Sequence, residues 1–309
     1  MADKRKWGDQ HINKSIKQID AATWLIGDLV LRRSSVLSEK ATWSDHSDHS
    51  NYHLVKQAPG VFVSTTPLDS PHIRLIYECG DASAVWSIGS NVLCKVRYLE
   101  DGVTPESVAL DFVRSKNPSF ETPEVLSYEV YDNKSFLFMR RLPGRTLDRA
   151  WPTLDESWKR YYVHAVVGIC QEMAEWKGDQ VGGVDKQCVP EHFLVTPPGS
   201  KMFGLVPAGC EAIGMDCSSV VFCHADLGPT NIIVEDEPKS GKLGIIDFEI
   251  SGYFPRGWIR TKFRISGGMD LSASASTCPT WWRSEMQKAL GDRGFEDYSQ
   301  AWMEWRGYK

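Results

Sequence analysis

The segment Cys223-His224-Ala225-Asp226-Leu227-Gly228-Pro229-Thr230-Asn231 places an acid and an amide five residues apart on one short polar loop. An apolar run leads into the loop and predicts a buried strand before it. Phosphoryl transfer needs few protein groups: one that orients the acceptor hydroxyl, ligands for a metal ion and a cradle for the triphosphate. Asp226 can accept the proton of a hydroxyl, and Asn231 can turn back to bind a metal. The loop therefore indicates phosphoryl-transfer chemistry.

A second acidic motif follows at Ile245-Ile246-Asp247-Phe248-Glu249. Asp247 stands at the end of an apolar strand, where a metal-chelating carboxylate is expected. Glu249 comes two residues later and points to the same side if the backbone stays extended. The candidate metal ligands are therefore Asn231, Asp247 and Glu249.

Upstream of these motifs, the chain has the pattern of a small sheet with one helix inserted. Short β-branched runs around the turn-like segment 80–83 predict strands at 73–77, 85–88, 92–96, 124–130 and 135–139. Thr104-Pro105-Glu106 predicts a helix start, with an N-cap, a proline at the first helical position and an acid at the positive end of the dipole. After Pro143-Gly144 helical spacing dominates, most clearly from Trp158 to Trp176.

Taken in order, these motifs resemble the aminoglycoside phosphotransferase and choline kinase-like family, a relative of the protein kinases. The segment Gly252-Tyr253-Phe254-Pro255-Arg256-Gly257-Trp258 is similar to versions of this family common in filamentous fungi. The resemblance implies an α+β, protein-kinase-like fold of two lobes, with a small antiparallel-sheet N-lobe and a mainly helical C-lobe. It also implies ATP as the donor, with GTP as the alternative, Mg²⁺ as the cofactor and a small-molecule hydroxyl as the acceptor.

The resemblance also implies a role for each matching residue. Asp226 matches the catalytic base, His224 the histidine that holds the catalytic loop in shape, and Asn231 and Asp247 the Mg²⁺ ligands. For nucleotide binding, Lys95 matches the strand lysine that holds the phosphates, and Glu106 matches the helix glutamate that pairs with this lysine. Gly80 and Ser83 lie in the turn that matches the one covering the phosphates. Met139 and Arg141 match the hinge beside adenine. Asp111 is a weaker match than Glu106 as the partner of the lysine.

The chain is predicted to have three parts. Residues 1–72 form an N-terminal extension, expected to be partly helical because Ile16, Ile19, Trp24 and Leu25 show patches of helical spacing. Residues 73–141 form the nucleotide-binding N-lobe, and residues 142–309 the catalytic and substrate-binding C-lobe. The polar run 44–50 in the extension could hold a metal ion. A solvated loop is favoured, because neither helical nor strand spacing puts its His and Asp residues on one face.

Departures from the family's pattern leave alternatives open. Arg140 stands where the hinge often has an acid, Asp-Phe-Glu replaces the kinases' Asp-Phe-Gly, and no Ala-Pro-Glu follows. A protein substrate then has no obvious docking platform, which favours a small acceptor. The alternative from a different class is a weak or inactive nucleotide-binding pseudokinase that acts as a scaffold or sensor. Arg140 and the unusual N-terminal residues support it, whereas the intact catalytic and metal-binding motifs oppose it.

Two features bear on the identity of the acceptor. A basic segment follows the second motif, with Arg256, Arg260, Lys262 and Arg264. A solvated helix face is favoured, and the alternative is an acceptor whose carboxylate or phosphate meets arginine forks. Four tryptophans lie near the C-terminal end of the sequence: Trp281, Trp282, Trp302 and Trp305. Packing in a hydrophobic core is favoured for them, and the alternative is an aromatic wall around a cationic or planar metabolite.

Composition narrows the class of protein further. The 309 residues are 42% hydrophobic and 24% charged, which suits one large or two closely joined domains. A formal net charge of -5 disfavours general nucleic-acid binding. No window approaches about twenty uninterrupted apolar residues, so no membrane span is expected, and the first residues lack the apolar core of a signal peptide.

The eight scattered cysteines include no Cys-x-x-Cys pair. These features predict a cytoplasmic protein with reduced thiols. The oligomeric state is left open.

Overall fold

Two separate stretches of the chain build the first of two structural units. The computed structural model describes residues 11–36, 40–58, 60, 63–198 and 200–308. The first unit takes residues 1–101 and 123–141, and the second takes residues 102–122 and 142–309.

The first unit is built from antiparallel strands. Its strands in the described residues are, in chain order, β1 (Ile16–Asp20), β2 (Thr23–Ile26), β3 (Leu29–Ser34), β4 (Trp43–Asp45), β5 (Ser50–Lys56), β6 (Thr66–Pro67), β7 (Ile73–Cys79), β8 (Ser83–Ile88), β9 (Val92–Tyr98), β10 (Val125–Tyr131) and β11 (Lys134–Arg140). One sheet has six strands in the order β4-β5-β3-β2-β1-β6, and the other has five in the order β10-β11-β9-β8-β7.

The two sheets share one hydrophobic core. Inward side chains of the six-stranded sheet, such as Trp24 and Leu31, belong to the same buried cluster as Trp86, Cys94 and Phe138 of the five-stranded sheet. Alternate side chains of β2, β3, β8 and β9 belong to this core, as a two-layer β structure requires. The segment before Ile73 is therefore part of this unit's core and is not a separate extension.

The expectation of a partly helical N-terminal segment is wrong for its described residues, whose regular elements are β1–β6 and one short 3-10 turn at Ile12–Lys14. The apparent helical spacing joined residues of two different strands, since Ile16 and Ile19 lie on β1 whereas Trp24 and Leu25 lie on β2. A turn at 21–22 separates these strands. The predicted boundary at 72/73 is also wrong, because both sides of it contribute to the shared core.

The polar run 44–50 is only partly a solvated loop. His46 and His49 are exposed, whereas Asp45 is 2% exposed. The Asp45 carboxylate accepts hydrogen bonds from the backbone N–H of Ser90 at 2.6 Å and from the hydroxyl of Ser47 at 2.7 Å. Asp45 therefore anchors the turn between β8 and β9 to the six-stranded sheet.

Asp45→Asn is expected to destabilise the first unit by about 1–3 kcal/mol, because the amide cannot accept all the hydrogen bonds that the carboxylate accepts. Burial opposes the ionised form of Asp45, but hydrogen bonds from Ser90 and Ser47 outweigh it and lower the carboxyl pKa below its ordinary 3.8. This stabilisation is thus present above pH 3.8 and is lost as the pH falls through the lowered pKa. Urea unfolding should show a wild-type advantage at pH 7 that shrinks in acid.

The matched control for this prediction is Asp69→Asn, which changes an exposed acid in the same unit. It should unfold like wild type at both pH values. Equal unfolding free energies for Asp45→Asn and wild type at pH 7 would contradict the anchoring role.

The second unit is mainly helical. Its helices are α1 (Glu106–Ser115), α2 (Leu147–Ala150), α3 (Glu156–Ala174), α4 (Val206–Ala212), α5 (Gly257–Ile265), α6 (Trp281–Asp292) and α7 (Ser299–Trp305). Its short strands are β12 (Arg145–Thr146), β13 (Lys177–Gly178), β14 (Val220–His224), β15 (Ile232–Val234), β16 (Leu243–Ile245) and β17 (Ser251–Pro255). They form two three-stranded sheets, β12-β15-β16 and β13-β14-β17.

Local sequence explains the ends of the main helices. Asp155 caps α3 by accepting a hydrogen bond from the N–H of Trp158 at 2.8 Å. α1 starts at Glu106, one residue later than predicted, because Pro105 is its N-cap and not its first helical residue. The hydroxyl of Thr104 donates to Asp185 instead of capping the helix. Residues 102–122, including α1, belong to the second unit and not to the predicted N-lobe.

The predicted fold class, α+β with an antiparallel-sheet part followed by a mainly helical part, is confirmed. No helix in the described part of the chain has the length and apolarity needed to cross a membrane.

Candidate active site

Strand β14 delivers the loop 223–231 to the site. All five of its residues are buried, and it pairs with β17 on one side and β13 on the other. Beyond the strand the chain turns tightly, because the N–H of Gly228 donates to the carbonyl of Asp226 and the N–H of Asn231 donates to the carbonyl of Gly228, both at 2.9 Å. The N–H of Ile246 then donates to the carbonyl of Asn231 at 3.0 Å. The two sequence motifs thus become neighbours.

His224 connects both motifs and is 4% exposed. Its Nδ1 accepts the N–H of Asp226 at 3.2 Å, and its Nε2 lies 3.0 Å from the carbonyl oxygen of Ile246. These partners place the imidazole proton on Nε2, which donates to Ile246. Burial lowers the pKa of His224 and favours this neutral form. The contacts are those of a residue that shapes the loop, and its catalytic relevance stays a prediction.

Asp226 and Asn231 are joined through their side chains. Asn231 Nδ2 donates to Asp226 Oδ2 at 3.1 Å and to the Asp226 carbonyl at 2.7 Å. With its nitrogen committed to Asp226, the amide has its oxygen left as a ligand atom. Burial raises the pKa of Asp226, the positive charge of Lys262 counters that rise, and the charges of Asp247 and Glu191 add to it.

Three carboxylates meet beside this loop. Asp247 adopts a left-handed backbone conformation with φ of 66°, and the N–H of Phe248 donates to Glu106 Oε1 at 3.1 Å. Carboxylate oxygens of Glu106, Asp247 and Glu249 all lie within 4.8 Å of one another. A left-handed non-glycine residue is uncommon and occurs often at functional sites. Glu106 was expected from the resemblance to pair with Lys95, and its proximity to the two acids of the second motif was not predicted.

A buried ion pair lies in the same unit. Lys262 Nζ is 2.5 Å from Glu191 Oε2, and these side chains are only 3% and 1% exposed. Trp258 Nε1 and the N–H of Phe193 also donate to Glu191, at 3.3 and 3.0 Å. Sequence reasoning missed Glu191, which sits in a loop-rich stretch without a recognisable motif. The only signal was Lys262 itself, placed among apolar residues of a predicted helix.

The favoured interpretation of the basic segment, a solvated helix face, is wrong for most of its members, and the acceptor-binding alternative stays a prediction. Lys262 is buried, and Arg256 donates to the carbonyls of Gly294 and Arg293. Arg260 donates to the carbonyls of Gln287 and Phe295. The two arginine side chains hold the start of α5 against residues 287–295. Only Arg264 is an exposed residue, as a solvated helix face requires.

The tryptophans follow the favoured interpretation at two of the four positions. Trp282 and Trp302 are buried in the core, at 0% and 6% exposure. Trp281 and Trp305 are partly exposed.

The predicted nucleotide-binding residues other than Glu106 lie in the first unit. Lys95 is on β9, opposite Val85 on one neighbouring strand and Leu137 on the other. Its neighbours Cys94 and Val96 face the shared core, so Lys95 leaves from the other face of the sheet. Because Lys95 and Glu106 belong to different units, their pairing stays a prediction.

The turn predicted to cover the phosphates joins β7 and β8. Gly80 has a positive φ of 52°, and Ser83 is the first residue of β8. The carboxylate of Asp81 accepts the N–H of Ile12 at 2.7 Å. The N-terminal segment therefore fastens this turn within the first unit.

The predicted hinge residues continue the sheet. Met139 pairs with Leu93 and Val125, and the N–H of Arg141 donates to the carbonyl of Asn91 at 2.9 Å. In this structure, that N–H is thus engaged and not available to adenine. Arg140 pairs with Glu124, with 3.7 Å between Nε and Oε2. This contact gives the unusual hinge arginine a role within the sheet.

The family model described as choline/ethanolamine kinase matches residues 211–270, the segment that contains both site motifs. This match confirms the resemblance drawn from those motifs. No curated protein matches the chain.

Solved structures of aminoglycoside phosphotransferases are also similar. APH(3'')-Id from Streptomyces rimosus is 16% identical with a TM-score of 0.46, over 75% of this chain and 91% of its own. The aminoglycoside-3'-phosphotransferase of type VIII is 17% identical with a TM-score of 0.49, over 77% and 94%. APH(2'')-IIa, in a ternary complex with streptomycin and ATP, is 15% identical with a TM-score of 0.49, over 76% and 82%.

Proposed function

We propose that this chain is a cytoplasmic small-molecule kinase that transfers the γ-phosphoryl group of ATP, with Mg²⁺, to a hydroxyl of a small acceptor. GTP is the alternative donor. The observation that carries the proposal is the side-chain pair of Asp226 and Asn231, on a loop that is hydrogen-bonded to the acidic motif. Phosphoryl transfer requires an acid that orients the acceptor hydroxyl and metal ligands next to that acid.

Positioning is the main contribution of Asp226 in this mechanism. Asn231 holds one carboxylate oxygen of Asp226, so the other oxygen is left to accept the hydrogen bond of the acceptor hydroxyl. Holding the hydroxyl in line with the phosphate lowers the entropic part of the barrier, and accepting its proton helps the transfer. His224 keeps the loop in shape through its two backbone contacts.

The carboxylate cluster fits a hard divalent cation. Mg²⁺ prefers oxygen ligands, and Asp247, Glu249 and the amide oxygen of Asn231 would supply them, with Glu106 beside these acids. Mg²⁺, when bound there, would neutralise charge on the phosphates. The resemblance assigns the nucleotide to the first unit, through Lys95, the turn with Gly80 and Ser83, and the segment from Met139 to Arg141. Catalysis and acceptor binding fall to the second unit.

The proposal is tested by incubating the purified protein with Mg·ATP and a mixture of small metabolites. Mass spectrometry should find a metabolite that gains the mass of one phosphoryl group. Nucleotide binding without any gain in mass would instead favour the pseudokinase alternative, and phosphate incorporated only into protein would favour a protein kinase.

Asp247→Asn is expected to raise the Mg²⁺ concentration needed for tight nucleotide binding by at least about tenfold. Loss of a residue that only supports a metal ligand already lowers metal affinity by about that factor, and loss of a ligand should lower it at least as much. Calorimetric titration with ADP at increasing Mg²⁺ measures the effect without depending on turnover. Glu211→Gln, an exposed acid of the same unit, is the matched control. An unchanged Mg²⁺ dependence in Asp247→Asn would remove this residue from the metal site.

A further inference from the structure

A small cavity in the first unit collects positive charge. It has a volume of about 90 Å³, which is room for several water molecules at about 10–15 Å³ each. Its walls come from the start of β1, the turn after β2 and the hairpin of β10 and β11. The charged residues in its lining are Lys14, Lys17, Lys134 and Asp132. None of them belongs to the predicted catalytic, nucleotide or metal-binding set.

Lys134 is the most unusual of these residues, because it is only 7% exposed. Its ammonium lies 5.4 Å from the centre of the Tyr98 ring. No carboxylate among the described residues forms an ion pair with it, although Asp132 lines the same cavity. An ammonium on a residue so shielded from water is stabilised by an opposite charge or by hydrogen-bond acceptors. The ring offers only part of that compensation.

Ser15 is a second polar group in the lining without compensation. Its hydroxyl oxygen is buried, and no hydrogen-bond partner for it exists among the described residues. Buried polar atoms normally have such a partner. A buried lysine and a buried hydroxyl therefore both lack an acceptor at one cavity.

We propose that this cavity is a binding site for a phosphate dianion, with Lys134 as its central ligand and Lys14, Lys17 and Ser15 as further donors. Three ammonium groups opposed by one carboxylate leave two positive charges, which equals the charge of the dianion. Charge-assisted hydrogen bonds from lysine are a common means of holding phosphate oxygens. The site adds a second anion-binding function to the chain and does not depend on the kinase proposal.

Gly27 helps to keep the cavity open. Its φ of 63° lies in the left-handed region, and a Cβ added there would come within 2.9 Å of a Phe136 ring carbon. Both residues line the cavity. A larger residue at this position would crowd the space that the anion needs.

The test is calorimetric titration of the full chain with inorganic phosphate, with sulfate as a second dianion and chloride at equal ionic strength as the comparison. Wild type should show saturable binding of both dianions and none of chloride. Lys134→Met, which keeps the length of an apolar stem, should bind phosphate at least about tenfold more weakly, since a charge-assisted hydrogen bond is lost. Lys17→Met should weaken binding in the same direction.

Lys56→Met is the matched control, because Lys56 is an exposed lysine of the same unit that is absent from the cavity lining. It should bind phosphate as wild type does, and it should show the same general stabilisation that phosphate and sulfate give to folded proteins. If Lys134→Met does not fold, Lys17→Met alone decides. The proposal is overturned if wild type shows no saturable phosphate binding, or if Lys17→Met binds with wild-type affinity.

Discussion

Asp226→Asn is expected to lower turnover by about 10²–10⁴-fold, the usual contribution of a positioned general base. Asparagine has nearly the same shape, so the loop can keep its backbone hydrogen bonds, but its amide cannot accept the proton of the acceptor. Asp226 is not among the carboxylates of the cluster formed by Glu106, Asp247 and Glu249, so nucleotide affinity should change little. The measurement is steady-state turnover with the acceptor identified by the metabolite screen, together with calorimetric ADP binding.

A matched acid-to-amide change away from the site is available at Asp216, an exposed residue of the same unit. Asp216→Asn should keep wild-type turnover and nucleotide affinity. If Asp226→Asn keeps wild-type turnover, Asp226 is not the residue that orients the hydroxyl. If it loses ADP binding as well, it acts on the nucleotide or the fold, and the division of roles within the loop is wrong.

The parts of the site that could be predicted from sequence are those held together by local chain geometry. Asp226 and Asn231 are five residues apart on one turn, and that spacing alone indicates that their side chains can meet. Asp247 follows a run of apolar residues, and the pairing of β15 with β16 brings this run beside the loop. Because short-range spacing and the pairing of neighbouring strands place these residues, the sequence alone is enough to recognise them.

The N-terminal segment could not be predicted correctly, for a physical reason. Its strands are three to seven residues long where they enter the shared core, and their apolar residues alternate over too short a length to exclude a helix. The choice depends on partners that lie far away in sequence, such as Trp86 and Phe138 in the same buried cluster. Tertiary packing, and not local preference, decides these strands.

Long-range polar contacts were hidden for the same reason. Glu191 and Lys262 are 71 residues apart, and Asp45 and Ser90 are 45 apart. A charged residue in an apolar context is the one sequence signal that a buried pair leaves, and it does not name the partner. The basic segment was therefore interpreted as surface or ligand-binding residues, whereas most of it stabilises the packing around α5.

Lys262→Met is expected to lower the free energy of unfolding by about 3–5 kcal/mol, because it leaves the Glu191 carboxylate buried without its cation. The pair is almost completely shielded from water, with 3% and 1% of the side chains exposed, so solvent cannot replace the lost charge. Chemical unfolding followed by tryptophan fluorescence measures the change. Lys288→Met, at an exposed lysine on α6, should stay within about 0.5 kcal/mol of wild type.

The double variant Glu191→Gln with Lys262→Met separates charge from packing. Removing both charges together ends the penalty of the unpaired charge, so the double variant should regain part of the loss seen in Lys262→Met. The recovery is partial because the amide keeps only one of the two oxygens that accept from Phe193 and Trp258. Lys262 also lies 4.4 Å from the centre of the Phe193 ring, and this packing is altered in both variants. If the double variant is as unstable as the single one, the loss comes from these contacts and not from the unpaired carboxylate. Recovery would show that Glu191 requires a cation at this position, and that the basic residue marks a structural pair and not an acceptor site.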